Sequence, residues 1–275
     1  MIELPEAITL SKQLNDTING KIISKVIAAY TKQKLTWYYG EPKNYQKLLK
    51  NKKINHTDAF GGFVEISAQN IKILFRDGVN LRFIEERSKI PEKHQLLLEF
   101  ADTSILVAFV QMYGGVGCFV QNELDNVYYT IAKEKPSPLS KEFNEKYFDA
   151  LINTDAVQNQ SLKAFLATEQ RIPGVGNGVL QDILFNAKLH PKQKIHTLSK
   201  KQTQGLFQSL KTTLSEMAEN KGRDTERDLF GRNGGYKTKM CKNTVGERCG
   251  VCGSTIMKEN YMGGSIYFCP GCQTT

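Results

Sequence analysis

Four cysteines near the carboxyl end, in the pairs Cys249-Gly-Val-Cys252 and Cys269-Pro-Gly-Cys272, constrain this chain more than any other feature. Two Cys-x-x-Cys turns sixteen residues apart can aim four thiolates at one tetrahedral ion, and a full set of sulfur ligands leaves no open position for a substrate. The pattern predicts one structural Zn2+ held by Cys249, Cys252, Cys269 and Cys272. Two disulfides or a redox pair are the competing readings. The chain opens with no charged-then-apolar signal segment, which favours a reducing cytoplasm, where metal is the expected use of such cysteines. Residues 254–268 read as two short strands around Gly263-Gly264, a β-hairpin hung on the ion with its tip placed to touch a partner. Cys118 reads as buried strand, and neither it nor Cys241 has an obvious partner.

A chain of 275 residues holds two compact units besides such a finger. Its formal charge of +9 favours a polyanionic partner, with a lysine-rich solvated surface as the bland alternative. No apolar run reaches the roughly 18 residues of a membrane span.

Pro5 suits a first helical turn, and Ala7, Ile8, Leu10, Leu14 and Ile18 recur at helical spacing until Asn19-Gly20. From Lys21 to about Ile131 short β-rich runs follow: 22–30, 62–66, 71–75, 81–84, 95–100, 104–111 and 126–131. They predict a β-sandwich. Lys133-Glu-Lys-Pro-Ser-Pro138 reads as a linker, and helical rhythm follows in 161–168, 179–187 and 200–221. A polar, glycine-rich stretch, Asp228 to Tyr236, precedes the cysteines. The expected fold class is α+β and multidomain: a β-sandwich with a flanking helix over 1–132, a helical domain over 138–235 and a zinc finger over 236–275. Aromatic Trp37-Tyr-Tyr39 reads as packing and is assigned no site.

Between two of the helical runs lies Gln170-Arg-Ile-Pro-Gly174-Val-Gly176-Asn177-Gly178. Its glycines can leave backbone amides uncovered, and the free N–H groups at the start of the next helix favour an anion. Asn177 can cap that helix or turn toward a phosphate. Such a site would fix the register of a duplex without reading its sequence.

Met1-Ile-Glu-Leu-Pro-Glu6, the turn Gln170 to Asn177 with Asp182, Leu184 and His190-Pro191 behind it, and the terminal cysteines together resemble the formamidopyrimidine-DNA glycosylase and endonuclease VIII family. The likeness runs over essentially the whole chain and implies a helix-two-turn-helix domain between the sandwich and the finger. It also implies base excision repair, in which a damaged base is flipped out of bent DNA and severed from its sugar. In the family the nucleophile is usually the amine of an amino-terminal proline, with a neighbouring glutamate moving protons. Here that position is Ile2, followed by Glu3 and Glu6. Retention of methionine before bulky isoleucine would leave the amine displaced by about 3.8 Å, whereas processing would expose the Ile2 amine. The family's β-turn lysine falls at Gly62, its finger arginine at Gly264, and its void-filling side chains at Gln111 to Cys118, where Met112 or Tyr113 could wedge.

Binding is therefore expected to be better kept than lyase chemistry. The expected partner is damaged or distorted double-stranded DNA, met by a monomer through Gly174, Gly176, Asn177, Lys237 and Lys239, with Lys242 and Arg248 beside them. One alternative is an active glycosylase and lyase using Glu3, Glu6 and either the Ile2 amine or water. Another is an RNA-binding or zinc-stabilised interaction module.

Overall fold

The computed structural model describes residues 1–274, and α1 (Leu4–Ile18) stands at the centre of the molecule. Pro5 occupies its first turn and the Glu3 backbone N–H donates to Glu6 Oε2 at 3.2 Å. One stripe of the helix, Ala7, Leu10, Leu14 and Ile18, enters the core of the sheet, while Leu4 enters the helical core.

The sheet contains β1 (Ile23–Ala28), β2 (Thr36–Tyr39), β3 (Ile54–Phe60), β4 (Phe63–Ala68), β5 (Ile71–Ile84), β6 (Leu96–Phe100) and β7 (Ile105–Val120), with the short α2 (Tyr45–Leu49) packed on β1. Its order is β1-β6-β7-β5-β4-β3, with β2 added parallel to β7. The runs 71–75 and 81–84 are one strand, broken in register between Asp77 and Val79, where Asp77 has φ of 58°. Residues 71–77 pair with 114–120 beside β4, and residues 79–84 pair with 105–110 beside β6. The two halves thus share their longest strands and close on one core containing Ile66, Phe75, Leu98 and Leu106.

Residues 126–131, expected as strand, instead begin α3 (Val127–Glu134). Alternating Val127, Tyr129 and Ile131 imitates a strand, but Asn126 caps the helix by accepting from the Tyr129 N–H at 2.9 Å. Tyr129 and Ala132, three apart, then form the buried face. The Tyr129 hydroxyl donates to buried Glu65, which also pairs with Lys72 at 3.1 Å.

The helical unit consists of α4 (Glu145–Ile152), α5 (Asp155–Gln158), α6 (Leu162–Ala167), α7 (Val179–Asn186) and α8 (Lys200–Glu219). Phe148, Phe165, Leu180, Leu210 and Leu214 meet in its core, and Ser199 caps α8. The finger adds β8 (Met257–Tyr261) and β9 (Gly264–Phe268). Its tight turn falls on Met262-Gly263, one residue before the glycine pair, and both residues have positive φ as a type I′ turn requires.

After α8 the chain returns to the sheet. Leu229 is fully buried in the sheet core, its carbonyl accepts from the Phe83 N–H at 3.0 Å, and its N–H donates to Gln13 on α1. This polar-looking stretch therefore ties the two large cores together. Leu229→Ala is expected to cost about 2–5 kcal/mol, as other buried leucine truncations do. Urea unfolding with an unchanged midpoint would show that the tie carries no stability.

Candidate functional site

The segment around Ile2 is stitched into both large units. The Ile2 N–H donates to the Asp77 carbonyl at 2.6 Å and the Leu4 N–H to the Gly174 carbonyl at 2.9 Å. Glu3 is thereby driven inward beneath the start of α7. Its Oε1 accepts from the Gly178 N–H at 2.8 Å and its Oε2 from the Val179 N–H at 2.7 Å. The anion expected at this helix terminus is thus, at two of its amides, the protein's own carboxylate. A Cβ on Gly176 would sit 2.6 Å from Glu3 Oε1, which explains glycine there.

Asn177 is not the cap. Gly178 immediately precedes the helix, and the Asn177 amide donates to the Ser265 carbonyl at 3.0 Å, joining the glycine turn to the finger hairpin. The backbone N–H groups of Gly176 and Asn177 have no partner among the described residues. They remain available to an outside anion.

Behind Glu3 lies Arg223, buried and unremarked in the sequence because Glu3 and Glu6, the carboxylates it serves, are more than two hundred residues away. Glu6 accepts from the Arg223 backbone N–H at 3.1 Å, its Nε at 3.0 Å and its NH2 at 2.9 Å, a fork on one carboxylate. The same guanidinium stands 3.7 Å from Glu3 and 3.9 Å from Glu226, while the Met1 ammonium pairs with Glu226. Burial pushes Glu3 above the ordinary carboxylate range, and nearby Arg223 only partly opposes it. Burial acts on Glu6 too, but the charge and hydrogen bonds of Arg223 outweigh it and hold Glu6 low. Arg223 itself is held well above the ordinary arginine range: burial alone would lower it, but the two glutamates prevail.

In front of Glu3 opens a pocket of about 480 Å³ where the three units meet. Ile2 and Glu3 contribute from the amino terminus, Asp77 and Tyr113 from the sheet, Gly176 and Asn177 from the turn. Gly62 closes one side, where a Cβ would lie 3.1 Å from the Ile2 carbonyl. Gly264 closes another, and a Cβ there would lie 3.4 Å from Lys163 Nζ. Lys163, buried on α6, donates to the Tyr261 carbonyl and has no carboxylate partner among the described residues; burial lowers its pKa. The sequence signal for it was a lysine among Leu162, Ala164, Phe165 and Leu166. Lys237 and Lys239 lie outside this pocket: Lys237 faces Asp224 at 3.7 Å, and Lys239 lines a separate groove with Phe185 and Met240.

The four finger sulfurs lie within 4.8 Å of one another, with Cys249 and Cys272 3.8 Å apart and Cys252 and Cys269 3.3 Å apart. Tetrahedral bonds of about 2.3 Å place sulfurs about 3.8 Å apart, so the set fits one structural zinc. Cys241 is outside it. The finger is seated on α7: buried Asp182 accepts from the N–H groups of Lys239 and Met240, and the His190 ring meets Phe268 edge-on at 4.5 Å.

Residues 135–228 match the model of the formamidopyrimidine-DNA glycosylase H2TH domain. The chain is 27% identical over 285 residues to a formamidopyrimidine-DNA glycosylase of Listeria innocua, covering 99% of this chain and 100% of the relative. A Bacillus cereus protein of the same name is 26% identical over 281 residues, covering 99% of each. Over 135–228 the chain thus matches the H2TH domain, and over nearly its whole length it is similar to formamidopyrimidine-DNA glycosylases. The fold agrees with MutM (Fpg) from Thermus thermophilus, with TM-score 0.80, 21% identity and 98% of both chains covered. It also agrees with Lactococcus lactis Fpg in complex with DNA containing an abasic site, with TM-score 0.83, 22% identity, and 99% of this chain and 100% of that one covered. The likeness is combined with isoleucine at position 2 and an arginine locked behind Glu3.

The two glutamates respond to pH in opposite senses. Glu6, lowered on folding, contributes stability above its unfolded pKa that is lost as pH falls through the folded value. Glu3, raised on folding, contributes stability below its unfolded pKa that is lost as pH rises through the folded value. Arg223→Met strands both carboxylates and is expected to cost about 3–5 kcal/mol near neutrality, and less near pH 5 as they take up protons. Equal losses in urea unfolding at the two pH values would refute this electrostatic account. Metal analysis is expected to find about one zinc per chain, and Cys252→Ser to abolish tight retention of it.

Proposed function

We propose that this chain binds double-stranded DNA that is damaged or distorted, and that amine-driven strand cleavage is weak or lost in it. The matched H2TH domain and the relatives' names support the partner, as does the abasic-site DNA bound by the Lactococcus lactis neighbour. The observation that carries the second half is isoleucine at position 2, where the family resemblance puts a proline amine; with methionine retained before so bulky a residue, its nitrogen is a peptide N–H that donates to the Asp77 carbonyl. The Met1 amino group is engaged by Glu226.

Phosphate binding is assigned to the turn at Gly174, Gly176 and Asn177 and to the Lys163 ammonium, with Lys237 and Lys239 as outer cations. Each phosphate neutralised releases counterions, so affinity falls steeply with salt. A cytoplasmic location suits the thiolate ligands. A second reading, a glycosylase using water, is favoured by one feature: Glu3 borders the pocket and its raised pKa suits proton transfer, with Glu6 and Arg223 behind it.

Borohydride added to the protein with an abasic duplex is expected to trap little or no adduct; an adduct mapped to Met1 or Ile2 in high yield would overturn the loss of amine chemistry. Asn177→Ala keeps the backbone N–H but removes the side chain's bond to the Ser265 carbonyl that fixes the turn against the hairpin, and is expected to weaken duplex binding by about tenfold. Base release from a lesion panel that exceeds background in the wild type and disappears in Glu3→Gln would establish the second reading instead.

A further inference from the structure

A second concavity, a groove of about 440 Å³, lies between the finger and the last turn of α7, at the opposite end of that helix from the pocket in front of Glu3. The two share no lining residue, and α7, eight residues long, spans about 10 Å between them. The floor of the groove is apolar. Phe185, Met240 and Ile256 form one buried cluster there with Cys249 and Cys269. Val251, between the two cysteines of the first knuckle, also lines it and is 69% exposed.

The remaining lining is cationic: Lys188, Lys239 and Arg248 stand against a single carboxylate, Glu247. Lys239 donates to Asn186 Oδ1 at 2.8 Å and Arg248 to the Gly253 carbonyl at 3.1 Å, and none of the three cations has a carboxylate partner among the described residues. The helix end itself presents no free acceptor from Leu184 or Phe185, whose carbonyls accept from the Leu189 and Lys188 N–H groups, each at 3.0 Å. A phosphate backbone would use the cations and leave the apolar floor unfilled, whereas a wholly apolar ligand would fill the floor and leave the cations unpaired. A chain that alternates carboxylates with apolar side chains meets both demands. We infer that this groove docks an acidic peptide segment of a partner protein, with leucine or phenylalanine side chains seated on Phe185, Met240 and Ile256. Placed at the far end of α7, the partner and a duplex are held at the same time. Lys239, assigned above as an outer cation for the duplex, is the one side chain both would approach, so the test leaves it intact.

Fluorescein-labelled synthetic peptides in which aspartates alternate with leucine or phenylalanine are titrated with the zinc-loaded full chain and read by anisotropy. Saturable binding is expected, weakened about tenfold or more when serine replaces the apolar residues or asparagine the aspartates. Lys188→Glu is expected to weaken it about tenfold and Val251→Ser about fivefold, both side chains being exposed, with zinc content and duplex affinity as in the wild type. A saturating matched duplex is expected to leave the peptide bound. No saturable binding by any of the peptides, equal binding of the serine-substituted ones, or wild-type affinity in both variants would overturn the inference. Displacement of the peptide by duplex would assign the groove to nucleic acid, and self-association of the chain that Val251→Ser abolishes would assign it to a second copy; either result removes the partner peptide.

Discussion

The buried guanidinium of Arg223 is the contact on which the arrangement of the three units depends. Glu3 and Glu6 are both buried on one turn of α1, and two desolvated carboxylates so placed repel each other. Arg223 lies between them, and its backbone belongs to the segment that follows α8. Compensation of charge and connection of units are therefore one event: α1, the start of α7 and the return segment cannot separate without exposing or stranding an ion. Three carboxylates, counting Glu226, face two cations, Arg223 and the Met1 ammonium. The remaining negative charge is met by the N–H groups at the head of α7, which carry about half a positive charge as a helix terminus.

This arrangement also determines what the glycine turn can offer a ligand. With the Gly178 and Val179 amides spent on Glu3, the N–H groups left open at the turn among the described residues are those of Gly176 and Asn177, with Lys163 lining the same pocket. The site is correspondingly less positive than a bare helix terminus, and the return segment adds carboxylates behind it. The proposed combination of binding without amine chemistry fits such a balance, because phosphate contact needs charge and open amides, whereas attack on a sugar needs a free lone pair at a fixed place.

The parts legible in the sequence are those whose signal is local. The cysteine pairs have their spacing within the finger, the stripe of α1 repeats every three or four residues, and α8 opens on Ser199. Where a local signal pointed two ways, the alternation in Val127, Tyr129 and Ile131 was read as strand although Asn126 and the Tyr129–Ala132 spacing decide for helix. Asn177 shows a different difficulty: its place before a helix suggested a cap, but a carboxylate from position 3 reached the amides first and freed its side chain for the finger. Arg223 and Leu229 lie in a polar, glycine-rich stretch whose composition reads as loop. Their partners, Glu6 and Phe83, sit at the other end of the chain, and no window of sequence contains both.

The same reasoning applies to the cation at the hairpin tip. Gly264 has no side chain, and the space its side chain would occupy is bordered by the Lys163 ammonium and the Asn177 amide. Lys163 is buried without a carboxylate, a costly state that its bond to the Tyr261 carbonyl relieves only in part, as its lowered pKa reflects. Under the phosphate role proposed for it, an anion entering the pocket would stabilise this lysine and would draw the hairpin, α6 and the glycine turn onto one charge. The two sides of Glu3 are thus electrostatic opposites: behind it buried carboxylates have the cation Arg223, and in front of it a buried lysine has no carboxylate among the described residues.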